Sequence, residues 1–133
     1  MVRVVVDTNV LVAALTHMGR SRRLVVRLLE AHTVISSGRL LAELADVLAR
    51  DKFGISSSQI DRYLSSLVNA CNIVPDSERF KVVSEDPNDD VVLNVAYAGK
   101  ADYIVTGDKH LLTLNKFKKT RIISPKQMLE AIA

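Results

Sequence analysis

The sequence predicts a three-layer α/β/α domain built on a central, mostly parallel sheet of four or five strands. Short β-branched runs recur along the chain, and the segments between them carry apolar residues at helical spacing. The two kinds of segment alternate through the chain, which is typical of parallel strands joined by helices that cover both faces of the sheet.

The first strand is predicted at Val4, Val5 and Val6, an unbroken β-branched run that suits a strand buried on both faces. The run ends on Asp7, whose short side chain cannot reach water from inside a sheet. We therefore expect Asp7 at the carboxyl end of the strand, the edge where open α/β sheets bind their ligands.

The remaining elements follow from the same patterns. In chain order they are a short helix over Val10–Leu15, a helix over Ser21–Ala31, a strand over Thr33–Ile35, a helix from Arg39 to about Arg50, a helix ending at about Ala70, a short strand at Ile73–Val74, a weak strand at Phe80–Val83, a helix over Pro87–Gly99, a strand over Tyr103–Val105, a turn or helix over Asp108–Leu114, a strand over Arg121–Ile123 and a final helix from Pro125. Ser37 is the expected N-cap of the third helix, and Ser57 or Ser58 that of the fourth. Gly99 is expected to end the fifth. Residues 1–133 are predicted to form one domain, since no repeat or linker interrupts them.

Composition limits the classes of protein that fit. The 133 residues are 48% hydrophobic and 25% charged, which is ordinary for a globular protein, and the net charge of +3 permits a polyanionic partner but also fits a solvated surface. Cys71 is the sole cysteine, which fits a buried thiol in a reducing compartment and excludes an intramolecular disulfide. With no signal peptide and no apolar segment of membrane-spanning length, we expect a soluble, cytoplasmic protein with no membrane contact.

Four acidic residues are hard to explain as solvated surface. Asp108 follows the strand Tyr103–Val105 as Asp7 follows the first strand, so both are expected at one edge of the sheet. Glu43 lies near the start of its helix, on the border of the apolar stripe, and is expected to face the same edge.

The fourth acid comes from the segment Asp86-Pro87-Asn88-Asp89-Asp90. Pro87 at the first helical position makes Asp86 the predicted N-cap, and Asp89 three residues later fits a capping box. Asp90 is left over in the first turn, either facing the same edge or only interacting with the helix dipole.

Several carboxylates at one edge would repel each other and raise each other's pKa values. A hard divalent cation removes that cost, and Mg²⁺ or Mn²⁺ is favoured over zinc because the sequence has no Cys/His cluster. Such a site suits phosphoryl chemistry.

Four stretches, in this order, resemble the PIN-domain family of metal-dependent ribonucleases. They are Val6-Asp7-Thr8-Asn9-Val10-Leu11, Ser37-Gly38-Arg39-Leu40-Leu41-Ala42-Glu43-Leu44, Asp86-Pro87-Asn88-Asp89-Asp90 and Ala101-Asp102-Tyr103-Ile104-Val105-Thr106-Gly107-Asp108-Lys109. Within the family, the chain most resembles the small stand-alone, VapC-like proteins that are the toxin components of toxin–antitoxin pairs. The resemblance covers nearly the whole chain.

The resemblance implies an Mg²⁺ or Mn²⁺ site made from Asp7, Glu43, Asp90 and Asp108. It also implies that Asn9 and Thr106 orient the acids or a water molecule, with Asp89 as the alternative to Asp90. His110 stands where relatives often carry another acid; it either faces the site or is exposed to solvent.

The activity that the resemblance implies is RNA hydrolysis. The candidate phosphate-binding residues are Arg20, Arg22, Arg23 and Lys109, with Lys116, Lys118 and Lys119 near the last loop of the same edge, although each group also fits a solvated face. The chain has no Trp and only three Tyr and three Phe, so an extensive base-stacking platform and strong sequence discrimination are not expected.

Partners and alternatives stay open at this point. A toxin would need a cognate antitoxin, and the helices Arg39–Arg50 and Ser58–Ala70 carry enough apolar residues to form a homodimer. The alternatives are a catalytically inactive PIN module that binds nucleic acid or protein, an RNA-processing nuclease without an antitoxin, and a phosphoacceptor domain of the receiver type. The last requires a phosphorylatable aspartate on a central strand.

Overall fold

The computed structural model describes residues 1–82 and 86–133, which form a three-layer α/β/α sandwich around one mixed sheet. The strands are β1 (Arg3–Val6), β2 (Thr33–Ser36), β3 (Asn72–Ile73), β4 (Tyr103–Val105), β5 (Lys116–Phe117) and β6 (Thr120–Ile123). The helices are α1 (Thr8–Thr16), α2 (Arg20–Ala31), α3 (Gly38–Leu48), α4 (Ser57–Ala70), α5 (Pro87–Ala98), α6 (Lys109–Leu114) and α7 (Pro125–Ile132). The predicted fold class is confirmed.

The sheet order is β3-β2-β1-β4-β6-β5. All neighbouring strands are parallel except β5, which pairs antiparallel with β6. The sheet therefore has six strands rather than the four or five predicted. The extra strand β5 is two residues long, which is too short for an alternating pattern to reveal it.

Alternate residues of β1 enter two separate cores. Val4 and Val6 pack with the helices α1, α2, α3, α4 and α7, whereas Val5 packs with α5 and α6. All three side chains are at most 2% exposed. The predicted burial of β1 on both faces is therefore correct, and the two helical layers follow from it.

Several predicted boundaries need correction. Ser37 caps α3 as predicted, accepting a hydrogen bond from Leu40 N at 3.3 Å. Ser56, rather than Ser57 or Ser58, caps α4, because it forms a capping box with Gln59. Residues 80–82 do not form the weak strand predicted there, and Val83 lies outside the described residues.

Gly99 ends α5, but in the right-handed helical region, and the next residue adopts the left-handed conformation instead. A Cβ atom at Gly99 would lie 2.7 Å from Ile35 Cγ2 on β2. Close packing of α5 on the sheet, not backbone conformation, is the reason for glycine here.

Within the two described ranges, the helices are too short or too polar to span a bilayer. Cys71 is half-buried at the end of α4, and burial raises the pKa of its thiol to about 11.

Candidate metal centre

Three aspartates that begin helices meet at the carboxyl edge of the sheet. Asp7 follows β1 and caps α1, Asp108 follows β4 and caps α6, and Asp86 caps α5. One oxygen of each carboxylate accepts a backbone N–H, at 2.8 Å in Asp7, 2.9 Å in Asp86 and 2.7 Å in Asp108. These bonds fix each side chain locally, and Asp86 is the N-cap that the sequence predicts.

Asp7 is tied to the neighbouring strand through Thr106. Asp7 is 8% exposed, and its second oxygen, Oδ2, accepts a hydrogen bond from Thr106 Oγ1 at 2.7 Å. The same hydroxyl accepts from Asp108 N at 3.0 Å. Thr106 is fully buried, and its two hydrogen bonds fix the position of Asp7 relative to Asp108.

Glu43 links three helices at this edge. It lies on α3, its Oε2 accepts from Thr8 Oγ1 at 3.2 Å, and its Oε1 accepts from Asn88 Nδ2 at 3.1 Å. Thr8 belongs to α1 and Asn88 to α5. The role of Asn88 was not predicted, since a polar residue in the first turn of a helix carries no distinguishing signal in the sequence.

The tightest group of carboxylates is Asp86, Asp89 and Asp108, each of which offers an oxygen within 4.8 Å of the other two. Asp89 is only 3% exposed, and its Oδ2 has no hydrogen-bond partner among the described residues. A buried carboxylate oxygen without a partner is costly, and a bound cation would remove that cost. The all-oxygen donor set fits Mg²⁺ or Mn²⁺.

Electrostatics at this edge raise the pKa values of three of the acids. Burial, followed by repulsion from Asp108, Asp86 and Asp7, raises the pKa of Asp89 to about 7. Burial also raises the pKa values of Asp7 and Glu43, although hydrogen bonds from Thr106 and Thr8 partly offset this. The charged forms of Asp89, Asp7 and Glu43 are therefore disfavoured, and a bound cation would offset this.

Asp90 lies elsewhere. Its Oδ1 accepts a hydrogen bond from Val82 N at 2.8 Å, and it lines a different cavity beside Asn94. Asp89 forms no capping box with Asp86, contrary to the expectation. Consecutive residues of a helix point about 100° apart, so only one of Asp89 and Asp90 can face the cluster, and the structure places Asp89 there.

The acids surround an open cavity of about 360 Å³. Asp7, Asn9, Glu43, Asp86, Asp89 and Asp108 line it together with two exposed cations, Arg50 and Lys52. Asn9 also accepts a long hydrogen bond from Gly107 N at 3.4 Å. Neither cation was predicted at the site, because the predicted helix extends to about Arg50 whereas α3 ends at Leu48, and both cations follow it.

None of the cations selected from sequence lines this cavity. Arg22 donates hydrogen bonds to Ala14 O at 2.8 Å and Leu15 O at 3.4 Å, so it stabilises the end of α1. Arg20, Arg23 and Lys109 are exposed outside the lining, and His110 is also exposed.

Lys118 and Lys119 precede the amino end of β6, which runs parallel to β4. They therefore lie at the sheet edge opposite Asp108, and the expectation that they share a loop region with it was wrong.

Comparisons with known proteins agree with this geometry. An uncharacterized protein of Methanocaldococcus jannaschii is 28% identical over 142 residues, covering 97% of this chain and 90% of the relative.

Two solved structures share the fold. One is a chain of VapBC2 from Rickettsia felis, whose crystal structure contains a DNA fragment from the VapBC2 promoter. Its TM-score is 0.65 at 17% identity, and the match covers 92% of this chain and 98% of that chain. PAE2754 from Pyrobaculum aerophilum has a TM-score of 0.62 at 18% identity, covering 98% of this chain and 89% of that chain.

A family model described as a PIN domain matches residues 3–110, the part of the chain that carries Asp7, Glu43, Asp89 and Asp108. The chain therefore belongs to the PIN-domain family, whose members are generally nucleases.

Proposed function

We propose that this chain is a single-domain, Mg²⁺- or Mn²⁺-dependent endoribonuclease that hydrolyses RNA phosphodiester bonds. The observation that carries the proposal is the buried Oδ2 of Asp89, which has no hydrogen-bond partner within the described ranges and lies beside Asp86 and Asp108. A buried carboxylate oxygen without a donor is costly, and a bound cation would supply the missing partner.

The residues that would hold the cation are Asp86, Asp89 and Asp108, with Asp7 beside them. We propose Asp89 rather than Asp90 as the third acid of the family pattern, because Asp90 accepts the Val82 amide outside the cavity. A bound Mg²⁺ or Mn²⁺ would activate a water nucleophile and neutralise charge on the phosphate.

Glu43 is the proposed proton acceptor. Burial raises the pKa of the Glu43 carboxyl group toward neutral pH, which suits a general base. Thr8 and Asn88 hold its two oxygens from opposite sides of the cavity and so fix its direction. Thr106 and Asn9 are proposed as positioning residues for Asp7 and for the loop at Gly107.

Arg50 and Lys52 are the proposed phosphate contacts at the cavity, because they line it and are exposed. Arg20, Arg23 and Lys109 remain proposals as more distant contacts. Backbone contacts of this kind bind RNA without reading its sequence.

We further propose a cytoplasmic toxin with an antitoxin partner. The fold that the chain shares with VapBC2 supports this, and the acidic cavity offers a counter-charge for a partner's arginine. A homodimer is proposed through α4, where Val68 is 50% exposed. The alternative of an inactive binding module is disfavoured, since Asp7, Glu43, Asp89 and Asp108 all line the cavity.

The test is cleavage of a defined RNA with Mn²⁺, with EDTA, and with the Asp7→Asn and Asp89→Asn variants. We expect cleavage only by the wild type with Mn²⁺. Asp46→Asn is the matched control, because Asp46 is an exposed acid on α3 outside the cavity. Wild-type rates in Asp89→Asn, or cleavage in EDTA, would overturn the proposal.

A further inference from the structure

We propose that this protein carries a second RNA-binding surface at the sheet edge opposite the acidic cavity. The basic–aromatic surface consists of Arg79, Tyr97, Lys100, Lys118 and Lys119. Its ligand is the backbone and bases of single-stranded RNA that extends beyond the cleavage site. The inference rests on the proposed function for the identity of the nucleic acid, but not for the existence of the surface.

The topology separates this surface from the acidic cavity. Lys100 lies before β4, and Lys118 and Lys119 lie before β6, so all three are at the amino edge of the sheet. The helix α5 connects the two edges, with Asp89 in its first turn and Tyr97 in its last. Twelve helical residues span about 18 Å, a distance that a short RNA segment can cover.

The charge of the surface is unbalanced. Lys100, Lys118 and Lys119 line a cavity of about 700 Å³ in which the one acidic residue is Asp102. Asp102 already accepts the Arg3 amide at 2.8 Å. Across residues 1–82 and 86–133, the one ion pair within 4.0 Å joins Arg39 to Glu78, so none of the surface's four cations is neutralised by a described carboxylate. Such a concave basic site attracts a polyanion.

Aromatic rings lie beside two of the four cations, Arg79 and Lys118. Phe80 packs edge-on against Tyr97 at 4.8 Å and Phe117 at 5.3 Å between ring centroids. The Arg79 guanidinium lies 4.9 Å from the Tyr97 ring and 5.3 Å from the Phe80 ring, and Lys118 Nζ lies 5.1 Å from the Phe80 ring.

Tyr97 remains 40% exposed. Basic groups combined with aromatic and guanidinium planes are the features that bind phosphates and stack unpaired bases. An inorganic anion would not use both features.

Backbone conformation is a further indication that the lysines serve a ligand. Lys100 has a φ of 53° and Lys118 a φ of 55°, both in the left-handed region where glycine or asparagine is less strained. Two lysines that line one cavity therefore occupy backbone conformations that are unfavourable for lysine. A role of their charge in binding a ligand would explain why lysine is present there.

A cavity of about 480 Å³ lies along α5 between the two edges. Arg39, Phe80, Lys81 and Asn94 line it together with two acids, Glu78 and Asp90. Asn94 accepts from Phe80 N and donates to Phe80 O, both at 2.9 Å, which fixes the aromatic cluster to the helix. RNA that follows α5 would meet Lys81 in this cavity, whereas Arg39 there pairs with Glu78 at 3.8 Å.

The test is the affinity of the Lys100→Asn/Lys118→Asn/Lys119→Gln variant for a single-stranded RNA of about 12 nucleotides, measured by fluorescence anisotropy in EDTA. Asparagine tolerates the left-handed conformation, so the backbone is preserved. We expect about tenfold weaker binding and a salt-dependence slope lower by about two, since each single-strand phosphate contact contributes about 0.7. The control is Arg27→Gln/Arg62→Gln/Lys126→Gln, which removes three exposed cations from other faces.

Unchanged affinity or an unchanged salt slope in a folded triple variant would overturn the inference. So would an equal loss of affinity for inorganic polyphosphate and for RNA, because that result would indicate a general anion site. If the triple variant fails to fold, the single variant Lys119→Gln and the stacking variant Tyr97→Leu each give the same test with a smaller expected loss.

Because the assay contains EDTA, a failure of the nuclease proposal leaves its result unaffected. If the basic–aromatic surface does not bind RNA, the cleavage of a dinucleotide at the acidic cavity is unaffected.

Discussion

Thr106 Oγ1 donates a 2.7 Å hydrogen bond to Asp7 Oδ2 and joins the carboxyl ends of two adjacent strands, 99 residues apart in sequence. The bond is buried, and the same oxygen accepts the Asp108 amide. Thr106 thus sets the relative position of two acids of the candidate site.

Replacing Thr106 with valine removes the hydroxyl at nearly constant volume. We expect a loss of about 1–2 kcal/mol in the free energy of unfolding, because Asp7 Oδ2 loses its donor. We also expect cleavage to fall about 10- to 100-fold, as for other residues that orient metal-binding groups. Urea denaturation and RNA cleavage assays measure the two effects, and Thr106→Ser should restore both. Full activity in Thr106→Val would show that Asp7 needs no positioning.

Asp89→Asn should separate stability from metal binding. Without metal at pH 7.5, the variant should have a higher melting temperature than the wild type, because it removes a buried charge that Asp86 and Asp108 repel. It should also lose most of the stabilisation that Mn²⁺ gives the wild type. Differential scanning fluorimetry with and without Mn²⁺ measures both. Asp90→Asn is the control, since its amide oxygen can still accept the Val82 N–H, and it should keep the response to Mn²⁺.

The stability of the metal-free protein should fall as pH rises from about 4 to about 7. The folded pKa of Asp89 is about 7, above its ordinary value of 3.8, so the folded state binds more protons than the unfolded state in this window. The contribution is fully present below pH 4 and is lost as pH rises through 7; Asp7 and Glu43 act in the same direction. Urea unfolding in EDTA at several pH values tests this, and a rising stability would contradict it.

Gly99→Ala should destabilise the protein by about 1–3 kcal/mol, the usual cost of overpacking. The added methyl would meet Ile35 Cγ2 at 2.7 Å although the backbone conformation itself suits alanine. Gly19→Ala is the matched control because a methyl group added there would have no neighbour within 4 Å, and it should change stability by less than about 1 kcal/mol. Equal effects of the two substitutions would rule out the steric explanation.

Cys71 should react slowly with iodoacetamide. Burial raises its pKa to about 11, so at pH 8 the thiolate is a minor fraction in the folded protein. Intact mass spectrometry over time should show slow alkylation in buffer and rapid alkylation in urea. Equal rates in the two conditions would contradict the burial of this side chain.

The residues that could be predicted from sequence are those fixed by the strands. The valine run places Asp7, and the strand Tyr103–Val105 places Asp108. A short carboxylate side chain that follows a buried strand is expected at the carboxyl end of that strand. Glu43 could be predicted from the apolar stripe of its helix for the same kind of reason.

The choice between Asp89 and Asp90 could not be made from sequence, because both acids fit the first turn of a helix. Their directions depend on how α5 rotates against the sheet, and that rotation is set by long-range packing of the helix in the core. The position of Arg50 and Lys52 at the cavity was likewise beyond prediction, and Lys118 was predicted at the wrong edge, since the chain outside the long helices and strands positions all three.

The three aspartates that start α1, α5 and α6 each engage one oxygen with a backbone amide. The helix starts, and not only an ion, therefore hold these carboxylates in place. A chelator should accordingly act as a reversible off-switch that leaves the polypeptide native, and adding the ion back should restore turnover without a refolding delay.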